Sequence, residues 1–460
     1  MNTISDRGRL IVGVVVVAMT AGLFSMWTLD TAHFFYADDW DWLSRSQFGS
    51  WGDLLHLFPQ KLYNDRPGGQ IFVKLMNAMV GLDYRWYNAL WLLVHMFNCA
   101  LFFVIAARVV PFNRALLSAL VSACWFATLG AVTWVAAIFD LAGTTWCLLA
   151  VFLYSCPRRT GYRSMVPVLG AIVFHLLAIR TKEFALALVV VLAAWDFLAF
   201  AESTWRGRLV RLAPHLLVTL IYGVVYLNLY WHHASFVSSG PYRMSLTYGS
   251  IASGIAYYAS GAFYAGIAAN TATHPVFGLG LALVVVLLAM TSRTGRAALI
   301  AAIALSSAVL LLSQQRAMFY LYAPHFFLAL ALCSVAARNR VLTLATMLAA
   351  GVLVWWPIHA GILQNAQRFA LVNGAYSKTL FGDYAAVMRN EPAPRHVTLI
   401  VSKPYFDPFT YGPGNALRLL YGDPSITADV LDEKNAGVDP CAATRDVCLV
   451  EVAGHLVRRR

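Results

Sequence analysis

Three short stretches hold the residues best suited to chemistry. The first is Tyr36-Ala37-Asp38-Asp39-Trp40-Asp41-Trp42, with two carboxylates side by side. Neighbouring acids repel, so one pKa rises toward neutrality, and such a pair suits a general base, a metal ligand or both. A helix N-cap with solvated acids uses the same residues. The second is Asn64-Asp65-Arg66-Pro67. Pro67 is a good first residue of a helix. Arg66 would then stand at the positive helix end, a place for phosphate, although a lipid headgroup contact accounts for it too. The third is Arg180-Thr181-Lys182-Glu183, where Lys182 and Glu183 suit either ligand binding or an ion pair with each other. Two isolated charges complete the set. Asp140 falls near the outer end of an apolar run, and Arg316 follows another, just before Phe319, Tyr320 and Tyr322. Taken singly, those rings suit an interfacial belt.

The elements that must position these residues are membrane spans. Of 460 residues, 60% are apolar and only 12% charged, and the mean hydropathy is +0.64. Soluble domains carry about 25% charged residues. Apolar runs at about 10–29, 84–107, 114–134, 136–155, 165–180, 184–200, 212–231, 275–291, 297–313, 320–337 and 341–357 give about 11 transmembrane helices. The first lacks a small-residue cleavage site and reads as a retained anchor. Alternate connections are rich in Arg: Arg7 and Arg9; Arg108 and Arg114; Arg158, Arg159 and Arg163; Arg206, Arg208 and Arg211; Arg293 and Arg296; Arg338 and Arg340. Basic loops stay in the cytoplasm. The chain is therefore expected in a bacterial-type inner membrane, N-terminus inside and C-terminus periplasmic. That sidedness requires 245–268, though long enough to span, to be an interfacial or re-entrant helix.

Two segments then lie outside. In the loop 30–83, the part after Pro67 is amphipathic, with Ile71, Phe72, Leu75 and Met79 on one face and Lys74 and Asn77 on the other. That pattern fits a helix in the interface plane or an ordinary buried helix. The sequence divides into a membrane domain, 1–358, and a soluble-like tail, 359–460. The tail reads as a small α/β domain, with strands near 396–402 and 447–452 and a short helix near 414–421. Cys441 and Cys448 are the only cysteines outside the apolar runs. On an oxidising face they would pair; two free thiols are the alternative.

Several functions are excluded. The net charge of +12 is scattered in twos and threes, with no basic stripe for nucleic acid. No nucleotide-binding fingerprint or zinc-type His pair is present.

The order of these motifs resembles the GT-C glycosyltransferases, especially the protein O-mannosyltransferase-like branch. The resemblance rests on an outer Asp38-Asp39 after the first span, Arg66-Pro67 opening a helix, and Tyr87-Asn88 and His95 before Asn98. It continues through Trp134-Val135-Ala136-Ala137-Ile138-Phe139-Asp140-Leu141, which lacks the family's Arg, and Thr181-Lys182-Glu183. It ends at Tyr320-Leu321-Tyr322-Ala323-Pro324, with Arg316 further upstream than in the family. It implies a polytopic, mainly α fold and inverting transfer of a sugar from polyprenyl phosphate to an envelope glycan, lipid or protein. Asp38 or Asp39 would act on the acceptor. Arg66, Lys182 and Arg316, with Glu183, Asp140 and Tyr322, would bind substrate. The class has metal-dependent and metal-independent members, so a divalent metal stays open. A lipid-linked oligosaccharide polymerase or ligase shares the substrate class. A transporter or flippase would show internal repeats, and none is evident. A non-catalytic assembly protein would not need its acids.

Overall fold

In the computed structural model the described residues are 4–30, 33–61, 65–125, 130–156, 165–200, 204–232, 243–262, 267–268, 271–272, 275–334, 351, 362–389, 391–402, 407–410, 412, 414–432, 441 and 447–459. They form a helical bundle: α1 (Ile4–Ser25), α2 (Asp39–Phe48), α3 (Pro67–Val80), α4 (Tyr84–Ala106), α5 (Phe112–Ala123), α6 (Gly130–Thr133), α7 (Ile138–Tyr154), α8 (Met165–Ile179), α9 (Leu188–Ala199), α10 (Trp205–His232), α11 (Tyr248–Ala262), α12 (Pro275–Met290), α13 (Arg293–Leu310) and α14 (Tyr322–Cys333). A two-residue antiparallel pair, β1 (Ile267–Ala268) and β2 (Thr271–Ala272), follows α11. In hydrocarbon every backbone group must be satisfied within its own segment, so apolar runs become helices.

Five helical stretches are long and apolar enough to cross a membrane: Arg7–Leu29, Tyr84–Ala106, Val135–Tyr154, Trp205–His232 and Arg293–Leu310. Shorter apolar helices lie among them. The chain is a multi-pass membrane protein. Each expected run coincides with a helix except 341–357, which apart from residue 351 lies outside the described residues. The loops holding Arg158, Arg159 and Arg163 and Arg338 and Arg340 also lie outside them. The run 114–134 is not one helix, since α5 stops at Ala123. Helix α7 is central, packed against α4 and α8 and largely buried. Helix α10 is peripheral and leaves Leu217, Leu220, Val224 and Leu227 exposed.

Helix α3 inverts the usual logic of an amphipathic helix. Its polar side grips protein: Lys74 Nζ donates to the carbonyls of Ser46 (2.7 Å) and Gly49 (2.6 Å), and Asn77 Nδ2 to Gln47 Oε1 (3.0 Å). Ile71, Leu75 and Met79 are exposed, while Phe72 turns inward beside Trp146. A helix with its apolar side outward suits a lipid interface rather than water.

The tail begins with α15 (Ile362–Val387) and ends in a four-stranded sheet. Its strands are β3 (His396–Val401), β4 (Thr427–Asp432), β5 (Val447–Val452) and β6 (His455–Arg459), in the order β4-β3-β5-β6. Strand β3 pairs in parallel with β4 and β5, and β6 returns antiparallel to β5. The helix α16 (Asn415–Tyr421) packs on α2, joining the tail to the 30–83 loop. Cys441 and Cys448 form a disulfide, with Cα atoms 5.7 Å apart.

Candidate active site

The two adjacent acids have different environments. Asp39 is fully buried and both its oxygens are occupied. Tyr36 N donates to Oδ2 at 3.2 Å and Ala136 N to Oδ1 at 2.7 Å, which stitches the 30–83 loop to the turn before α7. Burial and the neighbouring Asp38 hold its pKa well above the usual carboxylate range. Asp38 occupies the N-cap position of α2 but makes no capping bond. Its Oδ1 is enclosed and has no hydrogen-bond partner among the described residues. Burial, then Asp41, push its pKa up to about 7; the charges of Lys182 and Arg66 pull the other way. Just before it, Ala37 adopts φ 54°. A left-handed non-glycine residue costs roughly 1–2 kcal/mol, so the packed, nearly unexposed Ala37 is held there by its surroundings.

The cations come from the start of α3 and the junction before α9. Arg66 grips Glu183 through three contacts of 2.8–3.1 Å and lies over the Phe139 ring. Lys182 Nζ is 3.0 Å from Asp140 Oδ2 and sits over the Tyr320 ring. The adjacent pairing of Lys182 with Glu183 is therefore not the one made. Lys182 is extended, φ −154° and ψ 138°, and successive side chains of extended backbone point to opposite sides. Arg180 pairs with Asp65 at 2.8 Å, and Gly68 N donates to the Arg180 carbonyl at 3.3 Å. A Cβ on Gly68 would collide with Thr181, and one on Gly69 with the Phe139 ring. The glycines after Pro67 thus let the α3 start dock against the junction and bring Arg66 to Glu183.

Asp38, Arg66, Lys182, Glu183 and Asp140 form one cluster. Arg316 Nη1 donates to Ser253 Oγ at 2.8 Å on α11. Tyr322 does not join the cluster. It is fully buried, with its hydroxyl 2.8 Å from His95 Nδ1 and 3.3 Å from Asn98 Nδ2. Tyr320, two residues earlier, faces Lys182 instead; near-helical backbone turns about 100° per residue, so a two-residue step reverses the side. Among the described residues no group of three or more His, Cys, Asp or Glu side chains is gathered for a metal.

A cavity of about 590 Å³ opens beside α2. Its wall includes Asp41, Arg45, Phe48 and Asp65 from the 30–83 loop and Asn415 and Arg418 from α16. Asn415 Nδ2 donates to Asp41 Oδ1 at 3.1 Å. Sequence reasoning missed this wall, because it depends on the tail folding back onto α2.

No protein-family profile and no curated protein matches the sequence. Solved structures do. The crystal structure of ArnT from Cupriavidus metallidurans bound to undecaprenyl phosphate aligns over 95% of this chain and 92% of that one, at 13% identity and a TM-score of 0.53. The Archaeoglobus fulgidus oligosaccharyltransferase in complex with Zn and sulfate aligns over 92% of this chain and 63% of that one, at 12% identity and a TM-score of 0.45. The chain, a polytopic helical bundle with a small C-terminal sheet, shares the overall fold of the ArnT structure.

Proposed function

We propose that the chain is an inverting glycosyltransferase that moves a sugar from a polyprenyl-phosphate donor to an envelope acceptor on the periplasmic face. The observation that carries this reading is the Asp38 carboxyl, with an enclosed oxygen that has no hydrogen-bond partner among the described residues and a pKa of about 7, within the electrostatic reach of Arg66 and Lys182. A carboxylate poised near neutrality suits a general base. The ligand of ArnT, undecaprenyl phosphate, supports a polyprenyl phosphate on this side of the reaction. The motif order supports the O-mannosyltransferase-like branch.

In the reaction, Asp38 accepts the proton of an acceptor hydroxyl. That oxygen forms a bond to the anomeric carbon as the bond from this carbon to the phosphate oxygen breaks, inverting the centre. Polyprenyl phosphate leaves with the bonding pair. Lys182 uses the N–H donors not spent on Asp140 to hold the phosphate, and Arg66 adds its charge. Glu183 and Asp140 orient these cations. Asp39 holds the turn that aims Asp38. The outward apolar side of α3 seats the site against the donor's membrane.

The test is a reconstituted transfer assay with polyprenyl-phosphate sugars. Asp38→Asn is expected to lower transfer about 10²–10⁴-fold while undecaprenyl phosphate still binds. Full transfer by that variant would overturn the assignment.

A further inference from the structure

We propose that the cavity between α2 and α16 is the acceptor site, and that it takes a hydrophilic glycan headgroup bearing an anionic substituent. This rests on the glycosyltransferase reading and names the acceptor class for it. The cavity, about 590 Å³, falls within the roughly 300–1,000 Å³ of small-molecule sites and has room for a short saccharide. Among the described residues, Phe48 and Pro424 are the only apolar side chains beyond glycine in its wall. Such a wall rejects an acyl chain and offers hydrogen bonds to hydroxyl groups.

Its charges are unevenly matched. Asp41 pairs with Arg45, and Asp65 with Arg180 behind the wall. Asp53 accepts from Ser50 N at 2.7 Å. Arg418 is held by neutral groups: Nε donates to the Ile426 carbonyl at 2.7 Å and Nη1 to Asn415 Oδ1 at 3.1 Å. Among the described residues neither Arg418 nor Lys61 makes an ion pair. The wall itself holds three cations, Arg45, Lys61 and Arg418, and three acids, Asp41, Asp53 and Asp65; because Asp65 is already paired with Arg180 outside the wall, one positive charge is left over. A phosphate or carboxylate on the ligand completes the balance.

The cavity also leads toward the reacting group. Asp38, Asp41, Arg45 and Phe48 follow one another at steps of three, four and three residues, a single face of α2. A glycan anchored at Arg418 therefore lies along the face that ends at Asp38.

The experiment is titration calorimetry of the full chain in lipid nanodiscs with maltose, maltose 1-phosphate and digalacturonate, and separately with undecaprenyl phosphate. At least one anionic saccharide is expected to bind about 10-fold or more tightly than maltose. Which anion binds distinguishes phosphate from carboxylate. Arg418→Gln and Lys61→Ala should each erode the preference, while Arg418→Lys keeps most of it and undecaprenyl phosphate binding stays unchanged. Equal binding of all three saccharides, or none, alongside intact undecaprenyl phosphate binding and Asp38-dependent transfer, overturns the inference and leaves the function standing. Loss of the preference in Arg418→Lys as well would make Arg418 structural and overturn it too. Anion-selective binding by a chain whose Asp38→Asn variant transfers normally would instead sink the function and keep the site.

Discussion

The stretch from Glu183 through α9 carries an ionic cluster at each end, and the two are built differently. At the far end Asp196, fully buried, receives Arg208 at 2.6 Å, Arg211 at 2.7 and 2.9 Å, and Tyr154 at 2.8 Å. Each of its oxygens has two donors, and both cations are spent on it. At the near end Arg66 grips Glu183, Lys182 reaches Asp140, and a third carboxylate, Asp38, has an enclosed oxygen with no hydrogen-bond partner among the described residues. A saturated network fixes helices together. An unsaturated one in the same bundle has a stability cost, and a substrate can satisfy it. On this ground we take the near end as the proposed working site and the far end as scaffold.

The largest contrast follows from the acids themselves. Asp38→Asn should cut transfer about 10²–10⁴-fold without loss of fold. Asp196→Asn should cost about 3–5 kcal/mol by leaving Arg208 and Arg211 buried beside a neutral group, with transfer per folded molecule unchanged. Chemical or thermal unfolding alongside the assay reads both. If Asp196→Asn loses activity without stability, the comparison collapses. Next in size, Lys182→Ala should lower transfer about 10²-fold and weaken undecaprenyl phosphate binding as well, since the cation holds the phosphate before and during departure. Weakened turnover with unchanged binding would move Lys182 out of the donor site.

The pH dependence is a third, smaller separation. With Asp38 near pKa 7, transfer should rise about tenfold per pH unit below that value and level off above it. The stability effect has the opposite sign. A carboxyl whose folded pKa lies above its unfolded value contributes stability at low pH that is lost as pH rises through about 7. Asp38→Asn should therefore unfold at a higher temperature than wild type above neutrality, and the gap should close in acid. A pH-independent gap would show that Asp38 is not the titrating group.

The placing of most helices and the types of the clustered residues were legible from the sequence because both follow from local composition. Apolar runs must be helical in lipid, and Asp38, Arg66 and Lys182 are unusual charges beside them. The pairings were not legible. Lys182 and Glu183 adjoin in sequence, yet extended backbone sends them to Asp140 and Arg66. Tyr322 shares a motif with Tyr320 but turns into the bundle toward His95. The division of labour between Asp38 and Asp39 depends on Ala136, nearly a hundred residues away in the chain. In the tail, β3, β5 and α16 announced themselves, whereas β6 did not: an edge strand ending in Arg458 and Arg459 carries the charge that keeps edges from pairing.

The smallest expected effect lies in the tail and bears on which face the near-end cluster occupies. The Cys441–Cys448 bridge closes a short loop beside β5. Chain-entropy reasoning gives such a loop roughly 2–3 kcal/mol at most. Cys448→Ser should lower the stability of the tail by about that amount and leave transfer near wild type, because neither cysteine is among the described residues that line the cavity. The bond's redox state carries the larger consequence. Disulfides persist on the oxidising side of a membrane and are reduced in the cytosol. Non-reducing peptide mapping of protein taken directly from cells, with free thiols blocked at lysis, should find the two peptides linked, and a reporter fused after Arg460 should be active only in the periplasm. Free thiols together with a cytoplasmic reporter would place the tail, and with it α2 and Asp38, on the wrong side for a periplasmic transferase. The contrast between the two ends of α9 would survive that result; the assignment of the near end to the outer face would not.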